Sequence, residues 1–331
     1  MKPYTVTIEI DLPRDRVIEL FDNPDNLFKW QTGLQSFQHL SGEAGQPGAK
    51  SKLVYRSGKH TIELIETVTE RKLPDEFSGC GPGRLSWNPA STERTMTTVT
   101  KIIEELKRLG TESVKKVLRN HGAREPLFGV KIGDLKKIQK RIKKDYQLAL
   151  DLYDTGIYDA MYLAGLIADD ARMTKRDLRH WVEKAEGGAL ESSTVPWVAA
   201  GSRHGRELAL EWIESKKENV AVAGWSTLAS LVSVKDDVVL DLPELKRLLQ
   251  RVQKSIHQQP DFVRYAMNGF VIALGTYVQP LSDDALRTAE KIGRVTVDMG
   301  NTACQVPDAV KYIQKVRGRG VVGKKRPAAK C

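Results

Sequence analysis

The chain has 331 residues, a formal net charge of +10, 40% hydrophobic and 28% charged residues. That size and balance give room for two ordinary domains and exclude a disordered chain. The longest weakly polar run, 220–234, is too short to span a bilayer and is broken by Gly and Ser, and three distant cysteines (Cys80, Cys304, Cys331) exclude a disulfide framework.

Residues Tyr4–Leu12 alternate Val6, Ile8 and Ile10 against Thr5, Thr7 and Glu9, the period of a half-buried strand. Pro13 opens a helix whose apolar residues are Val17, Ile18, Leu20 and Phe21. Asn23-Pro24 breaks it, and a further helical turn follows through Leu27, Phe28 and Trp30. A Gly-rich turn (42–48) leads to a strand over 51–57. A tight turn at Gly58-Lys59 joins it to a strand over 61–71, and another strand starts in 73–77. Residues 79–96 have loop composition and are read as a linker.

From Thr97 the period becomes helical. Val99, Ile102, Ile103 and Leu106 share one face, Gly110 ends that helix, and Thr111 caps the next. Further helices are expected over 131–145, 146–154, 157–168, 174–185, 204–215, 218–233, 242–258, 261–278 and 282–293, with a last one from Pro307. Short helices with one apolar face and short connections are the pattern of an α-solenoid, although no fixed repeat period stands out. Charge follows the same division. Residues 1–95 carry 12 Lys+Arg and 13 Asp+Glu, whereas residues 96–331 carry 40 and 29, so the helical part is expected to meet a polyanion.

The order of helices and strands over about residues 3–80, with the segment Phe28-Lys29-Trp30, resembles a partial START/SRPBCC (polyketide cyclase-like) module. Its departure from that family before the helical array leaves no expected small apolar ligand. The helical array resembles the AlkD-like DNA alkylation repair family of HEAT-like DNA glycosylases. The segments that carry the likeness are Leu127-Phe128-Gly129-Val130-Lys131-Ile132, Glu211-Trp212-Ile213-Glu214-Ser215 and Phe262 through Phe270. The expected organisation is therefore α+β multidomain. An SRPBCC-like module (1–78) and a linker (79–96) precede an all-α HEAT-like α-solenoid (97–331), which ends in a flexible basic tail (316–331).

The resemblance implies duplex DNA as partner, held by its phosphates. It also implies hydrolysis of the N-glycosidic bond of cationic N3-alkyladenine or N7-alkylguanine, without metal or cofactor. A nearby carboxylate would stabilise the sugar oxocarbenium, and aromatic rings would contact the cationic base. In the family an aromatic is followed four positions later by Asp. The matching stretch, Gly187 to Trp197, places Ala189 or Leu190 at the aromatic and Ser193 or Thr194 at the Asp. Glu191 is its only carboxylate, and Trp197 and Trp225 are the aromatic candidates. A family Arg falls near Gly224, and a third aromatic near Phe270.

Candidate phosphate contacts are Lys136, Lys137, Lys140, Arg141 and Lys144 on one helix, Arg203 before another, and Lys324, Lys325 and Arg326 in the tail. No Cys/His spacing suits zinc. The alternative is a non-catalytic HEAT-repeat scaffold for nucleic acid or protein that has lost the family's Asp. Free thiols and the lack of a signal-peptide apolar region point to a cytoplasmic protein.

Overall fold

The computed structural model describes residues 14–31, 34–57, 60–73, 76–80, 85–87 and 90–330. They divide into two compact units, with the boundary between Thr97 and Thr98. The strand expected over Tyr4–Leu12, the helix-opening Pro13 and the Gly58-Lys59 turn lie outside the described residues.

In the first unit α1 (Arg14–Asp22), a short 3-10 turn at Pro24–Asn26 and α2 (Leu27–Trp30) precede five strands. These are β1 (Leu34–Ser41), β2 (Lys50–Ser57), β3 (His60–Lys72), β4 (Glu76–Cys80) and β5 (Leu85–Trp87). They form one antiparallel meander in the order β1-β2-β3-β4-β5. Arg71 of β3 holds Asp22 of α1 through two 2.6 Å hydrogen bonds, and Phe21 meets Phe77 edge-on at 5.5 Å. Leu34, Ala49 and Leu53 are buried. β1 was not expected, because Leu34 is its single buried residue and the rest of the strand has no buried alternation to read. The stretch read as a linker over 79–96 is corrected: it holds the end of β4, β5 and the first turns of a helix. Backbone pairing of Phe77 with Trp87 and Gly79 with Leu85 makes a strand from loop-like composition.

The helical elements run α3 (Ala90–Leu109, in which the division falls), α4 (Glu112–Asn120), α5 (Ile132–Ile142), α6 (Tyr146–Asp154), α7 (Tyr158–Ile167) and α8 (Lys175–Lys184). A π-helical turn, Leu190–Thr194, leads into α9 (Val195–Gly201). There follow α10 (Gly205–Trp212), α11 (Glu218–Val234), α12 (Leu242–Ser255), α13 (Asp261–Tyr277), α14 (Ser282–Ile292) and α15 (Ala309–Gly318). Helix starts are set by side chains that accept orphan backbone N–H groups: Thr111 at α4, Asp145 at α6, Thr174 with Asp177 in a capping box at α8, Asp241 at α12 and Asp308 at α15.

Helices α9, α11, α13 and α15 pack in succession as one row, and α8, α10, α12 and α14 form the row behind it. The rear row is stitched by ion pairs between successive helices, among them Arg179 with Glu211 (2.6 Å), Arg206 with Glu244 (2.9 Å) and Lys246 with Asp284 (3.1 Å). Two apolar clusters form the core of the helical unit, the first reaching from α3 to α11 and the second from α10 to α15. The first holds Tyr153 stacked on Trp181 at 4.1 Å, with the Tyr153 hydroxyl donating to the Trp181 carbonyl. The second holds Trp225 against Phe270 at 5.3 Å, with the Arg251 guanidinium 5.7 Å above the indole. α7 is buried on every face, which explains why it reads as uniformly apolar.

The flexible tail expected over 316–331 is also corrected. After α15 the chain turns back as a strap across the C-terminal ends of three helices. The Gly323 N–H donates to the Thr276 carbonyl of α13 (2.9 Å), and the Arg326 N–H to the Ser233 carbonyl of α11 (2.8 Å). Lys325 Nζ reaches the Val232 carbonyl (2.9 Å) and Asp237 (2.7 Å). Lys330 Nζ reaches the Ala168 carbonyl at the end of α7 (2.9 Å) and Asp170 (2.6 Å), and Ala329 is buried. The last turn of a helix leaves carbonyls without intrahelical donors and favours positive charge. These lysines meet that need. No helix among the described residues is long and apolar enough to cross a membrane.

Candidate nucleic-acid groove

The helical unit encloses a groove of about 1080 Å³, bounded by the end of α4, the start of α7, the 186–193 segment, α11, α13, the loop before α15 and Tyr312 of α15. Behind its wall lies a buried carboxylate. Asp159 accepts the backbone N–H groups of Phe128 (2.6 Å), Gly129 (3.3 Å) and Val130 (2.8 Å), which fixes the Leu127–Val130 loop against α7. The neighbouring Tyr158 turns its hydroxyl to the groove, where it accepts the Ala189 N–H at 2.9 Å. Burial pushes this phenol up to about 12, although the Ala189 hydrogen bond and the nearby carboxylates act on it too.

Gly187 and Gly188 take consecutive left-handed conformations, φ +84° and +61°, which only glycine adopts without strain. A side chain at Gly187 would also strike the Gly122 carbonyl. The turn they make delivers the Gly187 N–H to Glu191 Oε2 at 2.8 Å. Glu191 is 9% exposed and lines the groove. Burial raises its carboxyl above the ordinary range. The Gly187 hydrogen bond and Arg124 work against that shift, while Glu218 and Glu186 reinforce it. Arg124 pairs with Glu186.

Of the alternative placements in this segment, Ala189 and Ser193 both line the groove, whereas Leu190 and Thr194 are buried. Of those family-matched placements, the groove-facing pair Ala189 and Ser193 therefore carries neither an aromatic ring nor a carboxylate. The aromatic candidates are corrected. Trp197 is 8% exposed and packs edge-on against Tyr162 at 6.0 Å, and Trp225 is 1% exposed in the second core cluster. Neither lines the groove, because their helical phase turns them toward other helices. Phe270 is likewise core. Gly224 faces α10, where a Cβ would stand 2.7 Å from the Ile213 nitrogen. That position is a close helix crossing, and Val222 and Ser226 are the groove-facing residues of this part of α11.

Among the phosphate candidates, Arg326 lines the groove. Lys136, Lys137, Lys140, Arg141 and Lys144, on and just beyond α5, lie outside it. Lys137 pairs with Asp134 (2.8 Å), Arg141 with Glu105 (2.5 Å) and Lys144 with Asp169 (3.6 Å). Arg203 lies before α10, also outside the groove, with Nε 3.2 Å from His204 Nε2. Lys324 is exposed on the strap, and Lys325 is held there by Asp237.

The sequence reading missed the groove's own aromatics: Phe262, Tyr265 and Tyr277 of α13, and Tyr312 of α15. The signal was present in the α13 pattern. Phe262, Tyr265, Gly269 and Ile272 recur beside the core stripe of Val263, Met267, Phe270 and Leu274. No group of three or more metal-ligating side chains occurs among the described residues.

The family model described as "DNA alkylation repair enzyme" matches residues 102–313, which hold most of this groove. The chain belongs to that family. It is similar to two uncharacterized proteins, Lin0241 of Listeria innocua serovar 6a and Lmo0209 of Listeria monocytogenes serovar 1/2a. Each is 33% identical over 229 residues, which cover 68% of this chain and 99% of the relative. It is also similar to a solved structure described as "A new family of proteins related to the HEAT-like repeat DNA glycosylases with affinity for branched DNA structures". That likeness has 35% identity and a TM-score of 0.66, and covers 70% of this chain and 99% of that one. The helical unit is thus a HEAT-like repeat fold. The alkylation-repair match starts at residue 102, so it lends no support to the SRPBCC likeness of the first unit.

Proposed function

We propose that this member of the DNA alkylation repair family is a DNA-binding protein that receives irregular or branched DNA at its groove. In this reading it does not cleave glycosidic bonds by the family's aromatic–Asp arrangement. The observation that carries the reading is that, of the family-matched placements for the aromatic and the Asp, the groove-facing pair is Ala189 and Ser193. An oxocarbenium needs a negative charge beside it as it forms, and Ser193 supplies none. Branched DNA is favoured over plain duplex because the structural neighbour is described as having affinity for it. The groove itself is lined by Phe262, Tyr265 and Tyr312, which suit unstacked bases better than phosphates. The test is competition between a four-way junction and a linear duplex of the same sequence. Tighter junction binding is expected, and equal affinity refutes it.

A second reading is supported by Glu191, the groove carboxylate closest in sequence to Ser193. In that reading it replaces the missing Asp, and the protein releases N3-alkyladenine or N7-alkylguanine. Base release from methylated duplex that is lost in Glu191→Gln would establish it. Burial raises its carboxyl, and Gly187 already occupies one of its oxygens. For residues 3–80 the SRPBCC-like reading remains our proposal, supported by a helix pair ahead of an antiparallel meander.

A further inference from the structure

We propose that Cys304 and His121 form a nucleophile–base pair that accepts an alkyl group from alkylated DNA held in the groove. The two residues are 183 positions apart, yet Cys304 Sγ lies 3.4 Å from His121 Nε2, and both line the groove. His121 Nδ1 is 2.8 Å from the Val117 carbonyl, one turn back in α4. A carbonyl only accepts, so Nδ1 carries the proton in the neutral ring and Nε2 presents its lone pair to the thiol. The ring stands at the C-terminal end of α4, with Nε2 turned to the thiol that would give it a proton.

Cys304 is positioned from its own side. Its N–H donates to Thr302 Oγ1 at 3.3 Å, and the Thr302 hydroxyl donates to the Met299 carbonyl at 2.9 Å. The thiol is exposed, whereas a cysteine kept for packing is usually buried. Nucleophile, base and an orienting hydrogen bond on the base make up an activated-thiol arrangement.

The class of electrophile follows from the alkylation-repair family match and rests on the DNA-binding reading above. The thiolate attacks the sp3 carbon of an alkyl group on a base or phosphate oxygen of DNA. The S–C bond forms, the C–O bond breaks with its electron pair leaving on oxygen, and His121 keeps the thiol proton. No oxidant, metal or second reactant enters, and each protein molecule turns over once. This chemistry needs no carboxylate at Ser193.

The experiment uses the full chain with two oligonucleotides, one carrying O6-methylguanine and one a methylphosphotriester, and peptide mass spectrometry of Cys80, Cys304 and Cys331. Binding of each oligonucleotide is measured in parallel. The expected result is one methyl group on Cys304 from at least one oligonucleotide, none on the other cysteines, and at least tenfold slower transfer in His121→Gln. The responding oligonucleotide identifies the source. Bound DNA with an unmethylated Cys304 overturns alkyl transfer, as does equal methylation of all three cysteines. Absence of DNA binding refutes the groove reading and alkyl transfer with it. The pair is tested without DNA by iodoacetamide. Alkylation of Cys304 at neutral pH should slow about tenfold in His121→Gln, and an unchanged rate overturns the pair.

Discussion

Lys330→Ala tests whether the C-terminal segment is a structural strap or a loose phosphate-binding tail. The substitution removes the donor to the Ala168 carbonyl and the partner of Asp170. Hydrogen bonds to charged groups contribute about 1.5–3 kcal/mol, and removing one partner of a fully buried pair costs about 3–5 kcal/mol. Here the side chains are 15% and 18% exposed, and Lys144 leaves some positive field at Asp170. We therefore expect a loss of about 2–3 kcal/mol at neutral pH. With a urea slope of roughly 2–3 kcal/mol per molar, the midpoint should fall by about 1 M.

The effect has a definite pH dependence. Burial already raises the Asp170 carboxyl while Lys330 opposes the shift, so removing Lys330 raises it further. The unfolded value stays near about 3.9. A carboxyl whose folded pKa is raised loses stability as pH rises from the unfolded value through the folded one. The gap between variant and wild type should thus be widest at pH 7 and narrow as Asp170 protonates toward about pH 4. Lys330→Ala combined with Asp170→Ala should recover part of the loss, because no lone charge remains buried. An unchanged midpoint together with weaker DNA binding would refute the strap and restore the tail.

Three further outcomes follow from the same geometry. Glu191→Gln keeps an acceptor for the Gly187 N–H but removes a buried charge. It should raise the melting temperature at pH 7, with the gain vanishing on acidification below the ordinary glutamate range of about 4.3. Gly224→Arg, which installs the family's Arg at its sequence-matched position, should destabilise by about 1–3 kcal/mol or more through the clash with Ile213, and should add no base release. Asp159→Ala leaves three backbone N–H groups without their acceptor at about 1–3 kcal/mol each where burial is complete. A denaturant midpoint within error of wild type would show that the 127–130 loop is held by something else.

Much of the helical unit was readable because helical period and capping residues are local. Thr111, Thr174 and the α13 pattern mark their helices within a few positions. The π-helical turn and α9 were not expected as helix, since Leu190-Glu191-Ser192-Ser193-Thr194 has polar, β-branched and Gly-flanked composition. Contacts with α7 and α11 hold it in place. Groove and core also look alike in one dimension. Trp225 and Tyr265 both recur at helical spacing, and only the packing of α10 and α12 against α11 decides that the tryptophan is enclosed and the tyrosine faces the groove. The tail misled for a related reason. Glycines and lysines read as loose when the carbonyls they satisfy lie about 50 to 160 residues away in sequence.

The ion pairs of the rear helices bear on how strongly this protein grips a polyanion. Arg179, Arg206 and Lys246 count among the 52 basic residues, yet each faces a carboxylate on the next helix, and Arg141, Lys325 and Lys330 are similarly engaged, so the net +10 resides on other side chains. A cation already neutralised within the fold displaces few counterions when a nucleic acid arrives. Substituting one of these engaged cations should therefore change the slope of log affinity against log salt by less than about one phosphate, whereas Arg326→Ala in the groove should lower it by about one. Whatever affinity survives at physiological ionic strength would come from rings and hydrogen-bonding groups along α13 and α15, which read the shape of the strand more than its charge.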